Sequence, residues 1–202
     1  STKEFRETVS ELAMLMGFEA FKDLKTKKVQ IDGPISSFES TVVDENIAIV
    51  PILRAGLGMV DGLLSLFPNA RVGHIGLYRN EETLEPVEYY CKLPKDCQEG
   101  QVIVVDPVLD KWSDQTYLKE LISKYWFLTD DILQKGILYP LEGYLYPETY
   151  VLYDKSTTIE KVTTDHPDVK VYVAHVTEEN LNEKGYMPKA FGDAGDRLFG
   201  TK

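Results

Sequence analysis

The chain has 202 residues, of which 43% are hydrophobic, so it can bury the core of one α/β domain, and we predict a single domain over residues 1–202. The 33 acidic residues exceed the 22 basic ones and give a net charge of -11, which excludes binding to nucleic acid or anionic membranes as the favoured function. No apolar stretch has the length of a transmembrane span, and the charged N-terminal segment is unlike a secretory signal, so we expect a cytoplasmic protein.

The first half of the chain predicts two helices, two strands and a hairpin arm. Hydrophobic residues recur at helical spacing near the N-terminus, which indicates an amphipathic helix, and a polar stretch follows it. The continuous apolar run IAIVPIL (residues 47–53) predicts a buried strand, and the glycine-punctuated segment after it predicts a turn into a second helix. Residues 71–78 predict the next strand, which residues 80–93 extend as a hairpin arm.

The second half continues the alternation of strands and helices. Residues 102–106, 149–153 and 169–175 predict strands, and a helix pattern follows the first of them. This order predicts one mainly parallel sheet flanked by helices, which is an α/β fold. Residues 127–148 break the rhythm and are predicted to be an irregular insertion, whose tyrosines either pack on their own loop or line a partner surface.

Two arginines follow predicted strands at the edge where α/β sheets bind ligands. Arg54 comes directly after residues 47–53 and beside Gly56 and Gly58, and Arg79 follows the next strand. Two guanidinium groups at this edge would suit a diphosphate. A solvated or ion-paired arginine is the alternative interpretation of each.

Acidic residues lie at the end of another predicted strand and in a glycine-containing segment near the C-terminus. Asp106 ends the strand at residues 102–106, and the segment GDAGDRLFGTK (residues 192–202) places two glycines and two aspartates within five residues. Such a segment permits backbone hydrogen bonds to a flat polar ligand, with carboxylates near a ribose or a hydrated metal, although a plain turn is equally consistent with it. The 3 histidines have no partners that suggest a catalytic triad.

Four longer blocks resemble the uracil phosphoribosyltransferases: IAIVPILRAGLGMVDGLL, VGHIGLYRNEETLEPVEYYCKLP, VIVVDPVL and GDAGDRLFGTK. The motifs HPDV and LNEKGY add to the match, which covers residues 3–109 and 159–202. The resemblance implies a phosphoribosyltransferase-like fold and a role in pyrimidine salvage. Uracil would be joined to the ribose of phosphoribosyl pyrophosphate (PRPP), with magnesium carried on PRPP, to give uridine monophosphate (UMP) and pyrophosphate. A homodimer or higher homo-oligomer is expected.

The resemblance also implies roles for individual residues. Arg54 and Arg79 match pyrophosphate-binding arginines, Asp106 matches the acid that faces the ribose hydroxyls, and Asp193 matches one near PRPP and its magnesium. Three residues match the segment that binds uracil, largely through main-chain groups: Gly192, Asp193 and Ala194. No covalent nucleophile and no separate protein-held metal are implied. We predict that Arg54, Asp106 and Asp193 converge at the carboxyl edge of the sheet.

The chain departs from the family pattern after Asp106. Where the family has an Ala-Thr-Gly-Gly run around the ribose 5-phosphate, this chain reads DKWSDQ, with Lys111 in place of Thr and Trp112 in place of Gly. Ahead of GDAGD, it reads MPKAF where the family has Ile-Val-Pro-Gly-Leu. Two alternatives to an active enzyme therefore stay open: a catalytically impaired or engineered derivative that binds ligand, and a dimeric interaction protein that uses residues 80–93 and the insertion.

Overall fold

The computed structural model describes residues 1–79, 86–95, 100–108, 148–155, 160, 164, 170–177 and 192–201, with the backbone alone for residues 79, 86, 148–155 and 177. The first elements along the chain are α1 (Thr2–Ala20), a 3-10 turn (Phe21–Asp23), the hairpin strands β1 (Thr26–Asp32) and β2 (Ser37–Val43), then β3 (Ile47–Leu53) and α2 (Leu57–Leu66). The remaining elements are β4 (Arg71–Val72), β5 (His74–Arg79), β6 (Pro86–Lys92), β7 (Gln101–Val108), β8 (Glu148–Lys155), β9 (Lys170–Thr177) and α3 (Ala194–Phe199).

Seven strands form one sheet in the order β6-β5-β3-β7-β8-β9, with β4 also paired to β3. The pairs from β5 through β9 are parallel, and β6 runs antiparallel to β5 as the hairpin arm. All five predicted strand regions lie in this sheet, so the predicted α/β class with a mainly parallel sheet is confirmed.

Strand β3 is buried on both faces of the sheet, since its side chains alternate between two hydrophobic clusters. Ile47 and Ile49 pack in the cluster that contains residues of α1, α2 and α3. Val50 and Ile52 point the other way and pack with side chains of β5. The apolar run of β3 is therefore required by burial on both sides, as is typical of a central parallel strand.

The N-terminal helix is amphipathic, as predicted. Its buried residues are Val9, Ala13, Gly17 and Ala20, which recur every three or four positions and so share one face. Within the described part of the chain, no helix combines the length and the apolar character that crossing a membrane requires.

Three details differ from the sequence interpretation. The polar stretch after α1 forms the antiparallel hairpin β1–β2, whose residues are mostly exposed, so its strands carry little of the hydrophobic alternation that reveals a strand. The strand predicted at residues 71–78 is divided at Gly73 into β4 and β5. Strand β7 continues to Val108, two residues beyond the predicted end.

The remaining predictions on secondary structure fall on the tip of the arm and on the segment between β7 and β8. Residues 80–85 of the predicted arm lie outside the described residues. The predicted helix after Asp106 lies outside the described residues. So does the irregular insertion at residues 127–148, except for Glu148, which begins β8.

Candidate active site

Three of the predicted polar residues lie at the carboxyl ends of neighbouring strands. Arg54 follows β3 directly, Arg79 is the last residue of β5, and Asp106 lies near the end of β7. Strands β5 and β7 flank β3 and run parallel to it, so their carboxyl ends share one edge. The backbone thus brings two arginines and one aspartate to the edge where α/β sheets bind ligands.

The turn that carries Arg54 is held close to β7. A Cβ atom built on Gly56 would lie 2.3 Å from the Val105 carbonyl oxygen, a distance that no side chain tolerates. The Gly56 amide donates to the Ile52 carbonyl at 2.9 Å, and the Leu53–Arg54 peptide bond is cis. Glycine at position 56 is therefore required for the turn to pack against β7 and then enter α2.

The C-terminal helix α3 is short and has capping residues at both ends. Gly192 has φ +76, and the next residue, Asp193, is the N-cap: its Oδ1 accepts from the Asp196 amide at 2.9 Å. Gly200, with φ 65, ends the helix in a left-handed conformation and donates to the Asp196 carbonyl at 2.7 Å. An N-cap aspartate and a glycine just after the last turn are the usual signals for helix ends.

Arg54 contacts this helix through its guanidinium group. Its Nη2 donates to Asp196 Oδ1 at 3.2 Å, and its Cζ lies 6.0 Å from the centroid of the Phe199 ring. The Asp196 carboxylate also accepts from Thr201 Oγ1. The Arg54 side chain is 53% exposed and the Asp196 side chain 12%, so a largely buried acid holds an arginine that still faces solvent.

Gly195 lies between the Arg54 guanidinium and the Asp193 carboxylate. A Cβ atom built on Gly195 would be 3.3 Å from Asp193 Oδ1 and 3.7 Å from Arg54 Nη2. Both charged groups are thus within contact distance of the same point. Gly195 is buried, so a side chain at position 195 would be crowded against the Asp193 carboxylate.

Asp106 is a buried acid, 6% exposed, in β7. Its Oδ1 accepts from the Val108 amide at 3.2 Å, a local hydrogen bond that orients the carboxylate at the end of the strand. Burying a carboxylate costs free energy, which is unusual for a purely structural residue at a strand end. Its oxygens are hydrogen-bond acceptors of the kind that a polar ligand needs.

The chain matches one known family over both of the segments that form this edge. The sequence profile of uracil phosphoribosyltransferase matches residues 1–112 and 150–201. The uracil phosphoribosyltransferase of Clostridioides difficile strain 630 is 48% identical over 202 residues, with 100% of this chain and 88% of that protein covered. The chain belongs to the uracil phosphoribosyltransferase family.

Other relatives agree in name and in fold. The uracil phosphoribosyltransferase of Streptococcus mutans is 47% identical over 203 residues, with 100% of this chain and 88% of that protein covered. A solved structure of an Aquifex aeolicus protein superimposes with a TM-score of 0.79 at 30% identity, covering 98% of this chain and 87% of that one. All described residues of the candidate site lie within the two segments that the family profile matches.

Arg54 and Asp193 both lie near Gly195, and Asp106 lies on β7, the strand next to the one that Arg54 follows. Arg79 is known by its backbone position alone, at the end of β5. In the predicted uracil segment, Gly192 is exposed, whereas Ala194 is only 1% exposed and belongs to the core. The replaced loop at residues 110–114 lies outside the described residues.

The sequence interpretation did not assign a role to Asp196, the residue that binds Arg54. Its signal was present, because an aspartate three residues after an N-cap aspartate is typical of the first turn of a helix. That pattern places Asp196 on a helix but gives no hint of its partner, which lies 142 positions earlier in the chain.

Proposed function

We propose that this member of the uracil phosphoribosyltransferase family transfers the phosphoribosyl group of PRPP to uracil, producing UMP and pyrophosphate. Membership of the family over both segments of the site carries the proposal. Neither the named relatives nor the fold favours the alternatives of an impaired ligand-binding derivative or a purely interacting protein.

The reaction requires a positive group where the leaving pyrophosphate develops charge. The bond between the anomeric carbon and pyrophosphate breaks while the uracil nitrogen approaches, and the ribose gains cationic character between them. Arg54, half exposed at the sheet edge, is placed to stabilise the departing anion. We assign Arg79 the same role from its position at the end of the neighbouring strand.

The acidic residues and the segment before α3 would orient the two reactants. Asp106 would accept hydrogen bonds from the ribose hydroxyls, and Asp193 would lie near PRPP. Gly192, Asp193 and Ala194 would bind uracil through main-chain groups. Holding both reactants in line lowers the barrier by replacing a bimolecular encounter with a positioned one, and no covalent nucleophile is needed.

Magnesium enters this proposal as a companion of PRPP. Among the residues that the structure describes, no group of three or more His, Cys, Asp or Glu side chains is arranged to hold a metal ion. The site fits an ion carried by the substrate, because Mg²⁺ bound to phosphates needs only one or two protein carboxylates, and Asp106 and Asp193 offer such oxygens. When bound, the ion would neutralise part of the charge on the pyrophosphate.

The partners in this proposal are the two small-molecule substrates and a second copy of the chain. We propose a homodimer or higher homo-oligomer formed through the arm at residues 80–93. We also place the reaction in the cytoplasm, because PRPP is too highly charged to cross a membrane unaided.

An assay for UMP formed from uracil and PRPP in the presence of Mg²⁺ tests the reaction. We expect turnover by the unaltered chain and a loss of at least about 100-fold in kcat/KM for PRPP in Arg54→Ala, since a positioned charge at the leaving group is removed. Asp44→Asn, on the exposed hairpin, is the control and should retain full activity. A folded chain that makes no UMP at saturating substrates would refute the proposed function.

A further inference from the structure

The Arg54 guanidinium is held by two side chains of α3. Asp196 accepts its hydrogen bond at 3.2 Å, and the Phe199 ring lies 6.0 Å from Cζ. Asp196 and Phe199 are three positions apart, which places them on one face of the helix. One short element therefore offers Arg54 both a carboxylate and an aromatic ring.

Asp196 is held in place by hydrogen bonds that do not involve Arg54. Its amide donates to Asp193 Oδ1, its carbonyl accepts from the Gly200 and Thr201 amides, and its carboxylate accepts from Thr201 Oγ1. A carboxylate restrained in this way can restrain its partner in turn. An exposed arginine without such a partner would sample many rotamers and would lose that freedom on binding a ligand.

The geometry leaves part of the guanidinium available for an anion. The group has five N–H donors in a fixed fork, and the bond to Asp196 Oδ1 is made by Nη2. The side chain remains 53% exposed at the carboxyl edge of the sheet. The acid thus holds one end of the fork, and the guanidinium keeps further donors on a side chain that is half exposed.

We propose that Asp196 is a positioning residue, which orients Arg54 toward the pyrophosphate of PRPP, with the ring of Phe199 as a second support. The inference rests on the proposed function, because it assigns Arg54 that anion. Asp196 acts through Arg54 and touches no substrate.

The decisive variant is Asp196→Asn, which keeps the side-chain shape and an acceptor oxygen but removes the charge. We expect KM for PRPP to rise about 10-fold, because the charge-assisted hydrogen bond to Arg54 is weakened. KM for uracil should stay unchanged. Phe199→Leu should raise KM for PRPP by a smaller factor, since it removes the aromatic face but keeps an apolar side chain.

A double-mutant cycle separates positioning from general support of the fold. In an Arg54→Ala background, Asp196→Asn should add no further loss, because the group that it orients is gone. The matched control is Asp44→Asn, which makes the same substitution in the exposed Lys27–Asp44 ion pair and should leave both KM values unchanged. An equal loss from Asp196→Asn in both backgrounds would overturn the proposal. So would a fall in KM for PRPP, which would mean that Asp196 competes with the anion.

A measurement without turnover keeps this inference distinct from the proposed function. The Arg54 Nε signal, assigned by its disappearance in Arg54→Lys, should show restricted motion in ¹⁵N relaxation of the unaltered chain and increased motion in Asp196→Asn. Equal mobility in the two proteins would overturn the positioning role even if the enzyme is active. Failure of the unaltered chain to make UMP, with the expected change in mobility, would refute the reaction and support the positioning.

Discussion

At the level of single residues, Gly195 controls the space between Asp193 and Arg54. Gly195 is buried, and it places only a hydrogen atom next to these two charged groups. Any other residue would add a Cβ atom 3.3 Å from Asp193 Oδ1 and 3.7 Å from Arg54 Nη2. A methyl group there would press on the Asp193 carboxylate and offer it no hydrogen bond.

We expect Gly195→Ala to lower kcat/KM for PRPP by about 10-fold or more, since small displacements of positioned groups are costly to catalysis. Folding stability should change by less than about 1 kcal/mol, because alanine favours a helix and offsets the tight contact with Asp193. Steady-state kinetics and urea denaturation of the same samples measure the two effects.

Gly192→Ala is the matched control for stability. The added Cβ would meet nothing within 4 Å, but φ is +76, so only backbone strain is introduced. We expect a loss of about 1 kcal/mol in the free energy of unfolding. If Gly195→Ala destabilises the fold more than Gly192→Ala does, the effect at position 195 is structural.

At the level of elements, a glycine in α2 lets α3 pack closely against it. A Cβ on Gly58 of α2 would lie 2.7 Å from Leu198 of α3, so the Leu198 side chain packs directly over the α2 backbone. Leu198 is fully buried in the cluster shared by the three helices. This contact seats α3 beside the turn that carries Arg54, and so connects the core to the site.

The α1–α2 crossing is closer still, and it gives a stability prediction. A Cβ on Gly62 would lie 2.0 Å from the Ser10 carbonyl oxygen, and backbone can yield only if the helices separate. We expect Gly62→Ala to reduce the free energy of unfolding by about 3 kcal/mol, the upper end of overpacking effects. Chemical denaturation of both proteins measures this difference in the free energy of unfolding.

Asp61→Ala controls for the change in helix propensity, because Asp61 lies next to Gly62 in α2 and is exposed. That variant should be neutral or slightly stabilising. Equal stability of Gly62→Ala and the unaltered chain would contradict the close crossing of α1 and α2.

At the level of the whole molecule, the loop after β7 should determine how tightly PRPP binds. A phosphate cradle needs small residues whose amides converge, and this chain has Trp112 where the family has glycine. We expect calorimetry to show markedly weaker PRPP binding than in a variant with a rebuilt loop. That variant carries Asp110→Ala, Lys111→Thr, Trp112→Gly, Ser113→Gly and Asp114→Ser.

Trp112→Phe is the control for the loop, since it keeps an aromatic ring at the same position and should leave PRPP affinity low. Equal affinity of the unaltered chain and the rebuilt variant would show that the altered loop still binds the phosphate. The reaction assigned above would then proceed through an unusual phosphate site.

The arm formed by β5 and β6 should join two copies of the chain. Tyr78, Tyr89 and Tyr90 are about half exposed on it, and a two-stranded arm with exposed aromatic residues is marginally stable alone. Light scattering at micromolar concentration should give at least a dimer mass, and Tyr90→Glu should shift it toward the monomer. Leu15→Glu, on the exposed face of α1, should leave the mass unchanged. A monomer mass for the unaltered chain would contradict this assembly.

The residue pattern was enough to predict the fold class and the edge of the sheet at which the candidate site residues lie. An apolar run such as β3 reports burial on both faces, and a parallel sheet has a carboxyl edge wherever its strands end, so Arg54 and Asp106 could be placed without coordinates. The quoted blocks also sufficed to indicate the family. The β1–β2 hairpin was missed because mostly exposed strands leave little hydrophobic period to detect.

Which charged groups meet depends on the packing of elements that are distant in the chain. Local pattern indicates that Asp196 lies in the first turn of a helix, but its bond to Arg54 spans 142 positions, and the packing of Leu198 over Gly58 holds that helix against α2. The position of Gly195 near Arg54 depends on the same packing. Hydrophobic period and capping signals act over a few residues, whereas the contacts that complete the site depend on how distant elements fit together.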